Sequence, residues 1–247
     1  MYKRQILEYR TNGTFVTPGS EPSNQEDTIT RRDLFSSNGM ITGNFVTRYN
    51  ENGTMSSTTH NVYFPNTRSL KSSYTIAFNS NNQYTFTRQV VYNIDSLKVI
   101  EVDRNYAWPN GEALETAEVI RSFRIHDGQS LQRFERTRLK TFENSIREEI
   151  VTHYVESGAN SNKIFYTRNT FFHNTTTKKE TSLASFHSNG NEKYVRNEIF
   201  FDPAEITGGA DKIQSKQIKS ADFNGNVNSD CTTLFDIRSN QINRTCR

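Results

Sequence analysis

The chain repeats one short pattern, in which an apolar segment ends, a polar turn follows and a second apolar segment begins. The strongest turn signals are Asn-Gly and Asp-Gly pairs, each a few residues after an aromatic or large apolar residue. The turns recur at intervals of roughly 12 to 18 residues, which leaves roughly 8 to 12 residues for each strand. The main turn pairs are Asn12-Gly13, Asn38-Gly39, Asn52-Gly53, Asn110-Gly111, Asp127-Gly128, Ser157-Gly158 and Asn189-Gly190. We predict type I′ hairpin turns at the Asn-Gly and Asp-Gly pairs.

Between these turns, apolar and polar residues alternate with a period of two. In one segment, Tyr84, Phe86 and Val90 alternate with polar residues such as Thr85 and Thr87. This alternation is typical of a strand with one buried face, and no long segment has the spacing of a helix. The sequence therefore predicts an all-β, antiparallel up-and-down meander with little helix.

The pattern leaves open whether this meander closes. Full closure removes the edge strands of a long sheet, so we expect at least one calycin-like barrel. An open hairpin-repeat sheet is the alternative. In a barrel, the residues expected to face the interior are Phe45, Tyr49, Tyr84, Phe86, Val90 and Phe123.

The segments of the chain differ in composition. Residues 1–5 resemble the translation of a sequencing adapter, so we expect an artefact there and a metagenomic fragment that lacks its natural N-terminus. Residues 6–201 form the predicted β-meander domain, and a subdivision of it is expected near residue 143. Residues 202–247 are expected to form a final hairpin and a loose tail.

Charge and hydropathy narrow the classes of partner. The net charge is only +3, from 30 basic and 27 acidic residues, which argues against nucleic acid as a partner. The sequence has no transmembrane segment of about 18 apolar residues. Cys231 and Cys246 are its two cysteines. They form either a disulfide, in an oxidising compartment, or two free thiols.

No group of residues has the spacing of known catalytic or metal-binding motifs. The five histidines are scattered, and neither a nucleophile elbow nor a phosphate-binding loop is present. We therefore predict no catalytic residues, no metal ion and no cofactor. The sequence favours a protein that is not an enzyme without deciding the point, and it does not indicate localisation or oligomeric state.

A basic series is the most unusual local feature of the sequence. Strand alternation places Arg136 and Arg138 on the same face as Phe134. One interpretation is a solvated outer face on which Glu118 and Glu135 moderate the charge. The other is a surface that grips an anionic, partly apolar ligand through guanidinium groups and rings. The series consists of Arg121, Arg124, Arg133, Arg136, Arg138 and Lys140. The predicted ligand-binding residues are Arg121, Arg136, Arg138, Phe134 and Tyr84.

Two segments carry a resemblance to a known family. The run from Gly43 to Tyr49, followed by Asn52-Gly53, resembles the opening strand and first turn of cyanobacterial calycin-like barrels related to the phycobilin lyases. The stretch from Arg121 to Arg138 is similar to a late hairpin of these barrels. The resemblance implies a small barrel that holds one ligand. It does not imply lyase chemistry, because no cysteine lies in this region to carry a bilin.

A second resemblance is to short β-hairpin repeats of the MORN or YD type. Units such as Tyr49-Asn50-Glu51-Asn52-Gly53 and Phe186-His187-Ser188-Asn189-Gly190 recur along the chain. This resemblance implies an open sheet that acts as a binding or shell surface.

The two resemblances imply two functions. The first is a non-enzymatic β-barrel that binds a small amphiphilic or anionic ligand, such as a tetrapyrrole or a lipid-like acid. The alternative is a β-hairpin repeat module that interacts with a protein or a surface.

Overall fold

The structure is a computed structural model, with side chains described from residue 29 onward. It describes residues 5–10, 28–141, 145–155, 163–173, 177–205 and 211–247. The predicted turns at Asn12-Gly13 and Ser157-Gly158 and the expected subdivision near residue 143 lie outside the described residues. So does most of the segment assigned to the adapter, residues 1–5.

The described residues form sixteen β-strands and one short 3-10 turn, Pro203–Glu205. Ten of the strands are nine residues long. The strands are β1 Gln5–Arg10, β2 Thr28–Phe35, β3 Ile41–Tyr49, β4 Met55–Tyr63, β5 Leu70–Phe78, β6 Tyr84–Tyr92, β7 Lys98–Ala107, β8 Leu114–His126, β9 Gln129–Lys140, β10 Ile146–Tyr154, β11 Ile164–Phe172, β12 Lys178–Phe186, β13 Glu192–Phe200, β14 Ile213–Ala221, β15 Val227–Phe235 and β16 Gln241–Cys246. The predicted all-β meander is therefore confirmed.

The chain divides into two compact units, which are described separately. The first unit comprises Met1–Glu115 and Ile125–Ser130, and the second comprises Thr116–Arg124 and Leu131–Arg247. In the first unit, each strand from β1 to β7 pairs antiparallel with the next. In the second unit, the same holds from β9 to β16.

The predicted closure into a calycin-like barrel is wrong, because the sheet is open. Strand order follows chain order, and within neither unit do the described first and last strands pair. The residues assigned to a barrel interior also divide between two faces. Phe86 lies directly opposite Ala77, whereas Phe45 lies opposite His60, which in turn lies opposite Tyr74. Because Ala77 lies three positions after Tyr74 on the same strand, an odd offset, their side chains point to opposite faces.

The hairpin turns have a common geometry that differs from the predicted one. In the turn that begins at Asn50, the Asn50 N–H donates to the Thr54 carbonyl at 2.8 Å, and the Gly53 N–H donates to the Asn50 carbonyl at 2.9 Å. Seven described turns share this pattern, beginning at Ser36, Asn50, Asn79, Asn93, His187, Asp222 and Asp236. In each of these turns, the fourth residue is the one with a positive φ. The strand register shifts by one residue at the strand ends that flank the turns.

This geometry is that of a type I turn followed by a residue in the left-handed region with a bulge, rather than a type I′ turn. A type I′ turn requires positive φ at both central residues. Among the predicted pairs that the structure describes, Asp127 and Gly128 meet this requirement, with φ of 48° and 71°. The prediction of type I′ turns at the other described Asn-Gly pairs is wrong, although the turn positions are right.

Few apolar side chains are buried in the part of the chain that the structure describes. The buried apolar residues there are Val90, Val151, Phe200 and Ala221, and no side chain is fully buried. Polar residues outnumber them among the buried positions: Asp33, Asn44, Thr87, Glu101, Asp103, Thr170, Thr181 and Glu198. Cross-strand contacts on the sheet faces therefore replace a conventional apolar core.

The C-terminal segment contains three paired strands, β14, β15 and β16. Cys231 lies directly opposite Cys246, and the two form a disulfide. The neighbouring pair, Asp230 and Arg247, exchanges both backbone hydrogen bonds. The cysteines thus occupy a non-hydrogen-bonded position, where side chains of paired strands approach most closely.

Two of the hairpin turns begin with a carboxyl group whose pKa is lowered by hydrogen bonds within the turn. Hydrogen bonds from the Asn226 side chain and then from backbone N–H groups hold the pKa of Asp222 below its ordinary value of 3.8. Asn240 lowers the pKa of Asp236 in the same way. A carboxyl group with a lowered pKa stabilises the folded state above its unfolded pKa, and this contribution is lost as the pH falls through the folded pKa.

We therefore expect the hairpins that contain Asp222 and Asp236 to loosen as the pH falls below about 3.8. Thermal unfolding measured as a function of pH tests this expectation. The variant Asp222→Asn/Asp236→Asn is the control, because Asn79 and Asn93 already accept the equivalent backbone bonds in other turns. An identical acid-induced fall in the melting temperature of this variant would show that other carboxyl groups cause it.

Candidate functional site

Arg121 does not share a face with the other predicted cations. Its Nε lies 2.7 Å from Oε2 of Glu135, which also accepts a hydrogen bond from Gln132. Glu135 and Arg136 are adjacent on β9 and therefore point to opposite faces. Burial and the nearby Glu135 carboxylate raise the pKa of Tyr154, while Arg121 partly offsets this increase. Arg121 is thus part of a local polar cluster on the Glu135 face.

Three of the predicted site residues share the other face of β9. Phe134 makes an edge-to-face contact with His153, with ring centroids 5.1 Å apart. Arg136 lies 3.6 Å from a carboxylate oxygen of Glu118, and the Nε of Arg138 donates to Glu149 at 2.7 Å. These arginine side chains are 28% and 30% exposed. Glu118 and Glu135 thus each pair with an arginine of the basic series, and ligand binding by the arginines stays a prediction.

Tyr84 belongs to the first unit, whereas the other predicted site residues belong to the second. Its ring makes edge-to-face contacts with Tyr106 and Trp108, and its carbonyl accepts a hydrogen bond from the Trp108 indole at 2.8 Å. Tyr84 is therefore part of an aromatic cluster within that unit.

The face that carries Arg136 has a row of arginines, which we call the basic row. Arg136, Arg168 and Arg196 lie on β9, β11 and β13, at positions that the strand register brings level with one another. Val151 and Leu183 separate them on the intervening strands. Since neighbouring strands lie about 4.8 Å apart, successive arginines of the row start about 10 Å apart.

A second row lies two residues along each strand on the same face, and we call it the mixed row. It crosses β9 to β14 and contains Arg138, Glu149, Thr170, Thr181, Glu198 and Lys216. Thr170 is 4% exposed, and Thr181 and Glu198 are each 7% exposed. Thr170, Thr181 and Glu198 are therefore buried beneath the neighbouring side chains of the two rows.

Ion pairs connect the two rows. Oε1 of Glu149 lies 3.5 Å from an Nη atom of Arg168, and Oε2 of Glu149 accepts the hydrogen bond from Arg138. Glu198 lies 3.5 Å from the Nε of Arg196 and 3.8 Å from Lys216. Each carboxylate thus has two cationic neighbours, and the two rows together carry more positive than negative charge. The cations are partly exposed, so each pair contributes only about 0–1 kcal/mol to stability.

A cavity of about 180 Å³ lies where the two rows meet on β10 to β13. Several of the polar atoms around it lack hydrogen-bond partners: the Nε atoms of Arg168 and Arg196 and the hydroxyl of Thr181. Arg136 has the same unsatisfied Nε. The cavity is lined by Glu149, Arg168, Thr170, Phe172, Lys178, Thr181, Arg196 and Glu198. Buried donors without acceptors are destabilising, which makes this cavity the best candidate for a functional site.

The sequence interpretation identified Arg136 and Arg138, which lie at the β9 end of the two rows, but it identified none of the residues that line the cavity. Arg168 and Arg196 each lie two residues before a second polar residue, Thr170 or Glu198, as Arg136 lies before Arg138. This repeated spacing was a usable signal. What the sequence lacked was the register that brings these distant pairs level with one another.

Comparisons with known proteins give little guidance. No family model and no curated protein matches the chain. A porin-like protein from Bacteroides uniformis has a TM-score of 0.23 at 11% identity, over 100% of this chain and 95% of that one. A structure titled TcdB2-TccC3-Cdc42 has a TM-score of 0.25 at 11% identity, over 98% of this chain but 14% of that one. Scores this low bear on neither the fold nor the function of this chain. In the described residues, no helix has the length and apolar character needed to cross a bilayer.

Proposed function

We propose that this chain is a non-enzymatic β-hairpin repeat module whose charged face binds an extended partner or surface that carries repeated negative groups. The basic row is the single observation that carries this proposal. Three arginines on alternate strands form a linear array of evenly spaced positive groups. A linear polyanion that crosses the strands could contact them in succession.

The regular hairpins support the repeat interpretation. Most strands are nine residues long, and seven turns share one geometry, as expected for a module built from one recurring unit. The open sheet gives no support to the alternative of a small amphiphile held inside a barrel, because such a ligand requires a closed interior. The MORN or YD resemblance is therefore the one that this proposal retains.

Binding to immobilised polygalacturonate, a linear acidic polysaccharide, tests the proposed function. We expect binding that weakens with added salt, and no binding to neutral dextran. The variant Arg136→Gln/Arg168→Gln/Arg196→Gln should bind at least about tenfold more weakly. This estimate assigns roughly 0.5 kcal/mol to each partly exposed arginine, for a total near the 1.4 kcal/mol of a tenfold change.

The control removes the same number of charges from other positions of the second unit. The variant Arg133→Gln/Lys219→Gln/Arg238→Gln changes two residues on the face opposite the basic row and one in an exposed turn, and it should retain binding. Equal weakening in both variants would attribute binding to net charge alone and contradict the proposal. Stronger binding to polyglutamate than to polygalacturonate would identify an acidic protein as the partner instead.

A further inference from the structure

We infer that the cavity between Arg168 and Arg196 is a subsite for one acidic sugar unit, with a carboxylate and several hydroxyl groups. This inference rests on the proposed function and specifies its partner. Its starting point is the mixture of donors and acceptors around the cavity. The guanidinium groups of Arg168 and Arg196 donate only, and the carboxylates of Glu149 and Glu198 accept only.

A simple anion would use only half of this arrangement. It would accept bonds from the two arginines but would also lie beside Glu149 and Glu198, whose side chains are 14% and 9% exposed. Like charges at such short range repel one another strongly where solvent is limited. A sugar acid avoids this conflict, because its carboxylate can accept from an arginine while its hydroxyl groups donate to the glutamates.

The unsatisfied groups fit the same ligand. Thr181 is 93% buried, since its exposure is 7%, and its hydroxyl has no partner. The Nε atoms of both arginines also make no hydrogen bond, and the closest approach given for that of Arg196 is 3.5 Å, to Glu198. A ligand rich in oxygen atoms supplies acceptors for these donors after small side-chain movements. The protein alone leaves these groups without partners, which is an unfavourable state for buried polar atoms.

The apolar part of the cavity and its size point to a single ring. Phe172 and Lys178 both line the cavity. The Nζ atom of Lys178 lies 5.7 Å from the ring centroid of Phe200. Aromatic rings offer a surface on which the C–H face of a sugar ring can pack. The volume of about 180 Å³ corresponds to roughly six water molecules, which is the scale of one small organic acid.

Titration of the full chain with D-galacturonate, followed by protein NMR, tests the subsite. D-galactose supplies the same ring without the carboxylate, and acetate supplies the carboxylate without the ring. We expect galacturonate to bind at least tenfold more tightly than either, with shifts confined to β10 to β13. Arg168→Gln/Arg196→Gln should reduce the affinity at least tenfold, and Arg133→Gln/Lys219→Gln, on the opposite face, should leave it unchanged.

Thr181→Val is a second variant, which tests the subsite even if the double arginine variant fails to fold. The substitution keeps the side-chain shape and removes a hydroxyl that has no partner, so the fold should persist and the melting temperature should not fall. Galacturonate affinity should nevertheless decrease several-fold. Unchanged affinity in Thr181→Val together with unchanged affinity in the double arginine variant would overturn the subsite.

The outcomes separate this inference from the proposed function. If acetate binds as tightly as galacturonate, the cavity is a simple anion site and the sugar assignment is wrong. If polygalacturonate binds through the basic row but free galacturonate causes no shifts at the cavity, the module function stands and the subsite fails. If neither binds, both proposals fail.

Discussion

Replacement of both cysteines in Cys231→Ser/Cys246→Ser is expected to destabilise the last hairpin by about 3 kcal/mol. The disulfide closes a loop with a sequence separation of 15 residues. In the chain-entropy model, a cross-link across a loop of this length restricts the unfolded chain by about 3 kcal/mol. The effect should be large for this hairpin because every residue of β16 is exposed, which leaves its side chains little other stabilisation.

The loss should be local. In the described sheet each strand pairs with its neighbours in the chain, so β16 can separate without unfolding the rest of the unit. Hydrogen exchange measured by mass spectrometry should show faster exchange for Gln241–Cys246 and unchanged rates for β9 to β13.

A matched control comes from the next cross-strand pair on the same face. Thr233 and Arg244 lie directly opposite each other and carry no cross-link. Thr233→Ala/Arg244→Ala should therefore change the local stability by less than about 1 kcal/mol. If the serine variant exchanges as slowly as the parent chain, the disulfide is not what holds β16 in place.

Gly43→Ala is expected to lower the free energy of unfolding of the first unit by about 2–3 kcal/mol. A Cβ atom at this position would lie 2.5 Å from the backbone oxygen of Asn61, on the neighbouring strand. A rigid backbone atom cannot move aside as a flexible side chain can, so β3 and β4 must separate locally.

The separation would also disturb a buried hydrogen bond next to Gly43. Asn44 is 2% exposed, and its side-chain oxygen accepts a bond of 2.8 Å from the Asn61 side chain. Urea unfolding followed by the fluorescence of Trp108 provides the measurement, because the chain has one tryptophan and it lies in the first unit.

Gly53→Asn provides the comparison. Gly53 has a φ of +79°, and a Cβ atom added to it would meet no other atom within 4 Å, so only backbone strain opposes substitution. Asn66 and Asn82 already adopt φ of 60° and 57° in other turns of this chain. We therefore expect a change within about 0.5 kcal/mol. Equal stability of Gly43→Ala and the parent chain would mean that β3 and β4 can relax without loss.

The sequence by itself determined the strands and most turn positions, because both depend on short-range chemistry. The alternation that includes Tyr84, Phe86 and Val90 predicted a strand, and the structure has β6 there. Asn52-Gly53 marked a turn correctly, but the type of turn was wrong. The residues before and after the pair decide whether one or both central residues need positive φ, and the two-residue motif does not contain that information.

The sequence pattern could not predict whether the sheet closes. An up-and-down meander has the same alternation and the same turns whether or not its first and last strands meet. Closure depends on the tilt and stagger that accumulate over many strand pairs, and each turn and bulge changes them slightly. The open sheet was therefore visible only in the pairing of the strands.

Long-range register likewise decided the candidate site. The sequence placed Arg136 and Arg138 on one face because they lie two residues apart on one strand. It could not place Arg168 and Arg196 beside them, since a shift of one residue in any intervening strand would move these side chains to the other face. The same reason explains the cysteines: only the pairing of β15 with β16 brings Cys231 opposite Cys246 and selects the disulfide over two free thiols.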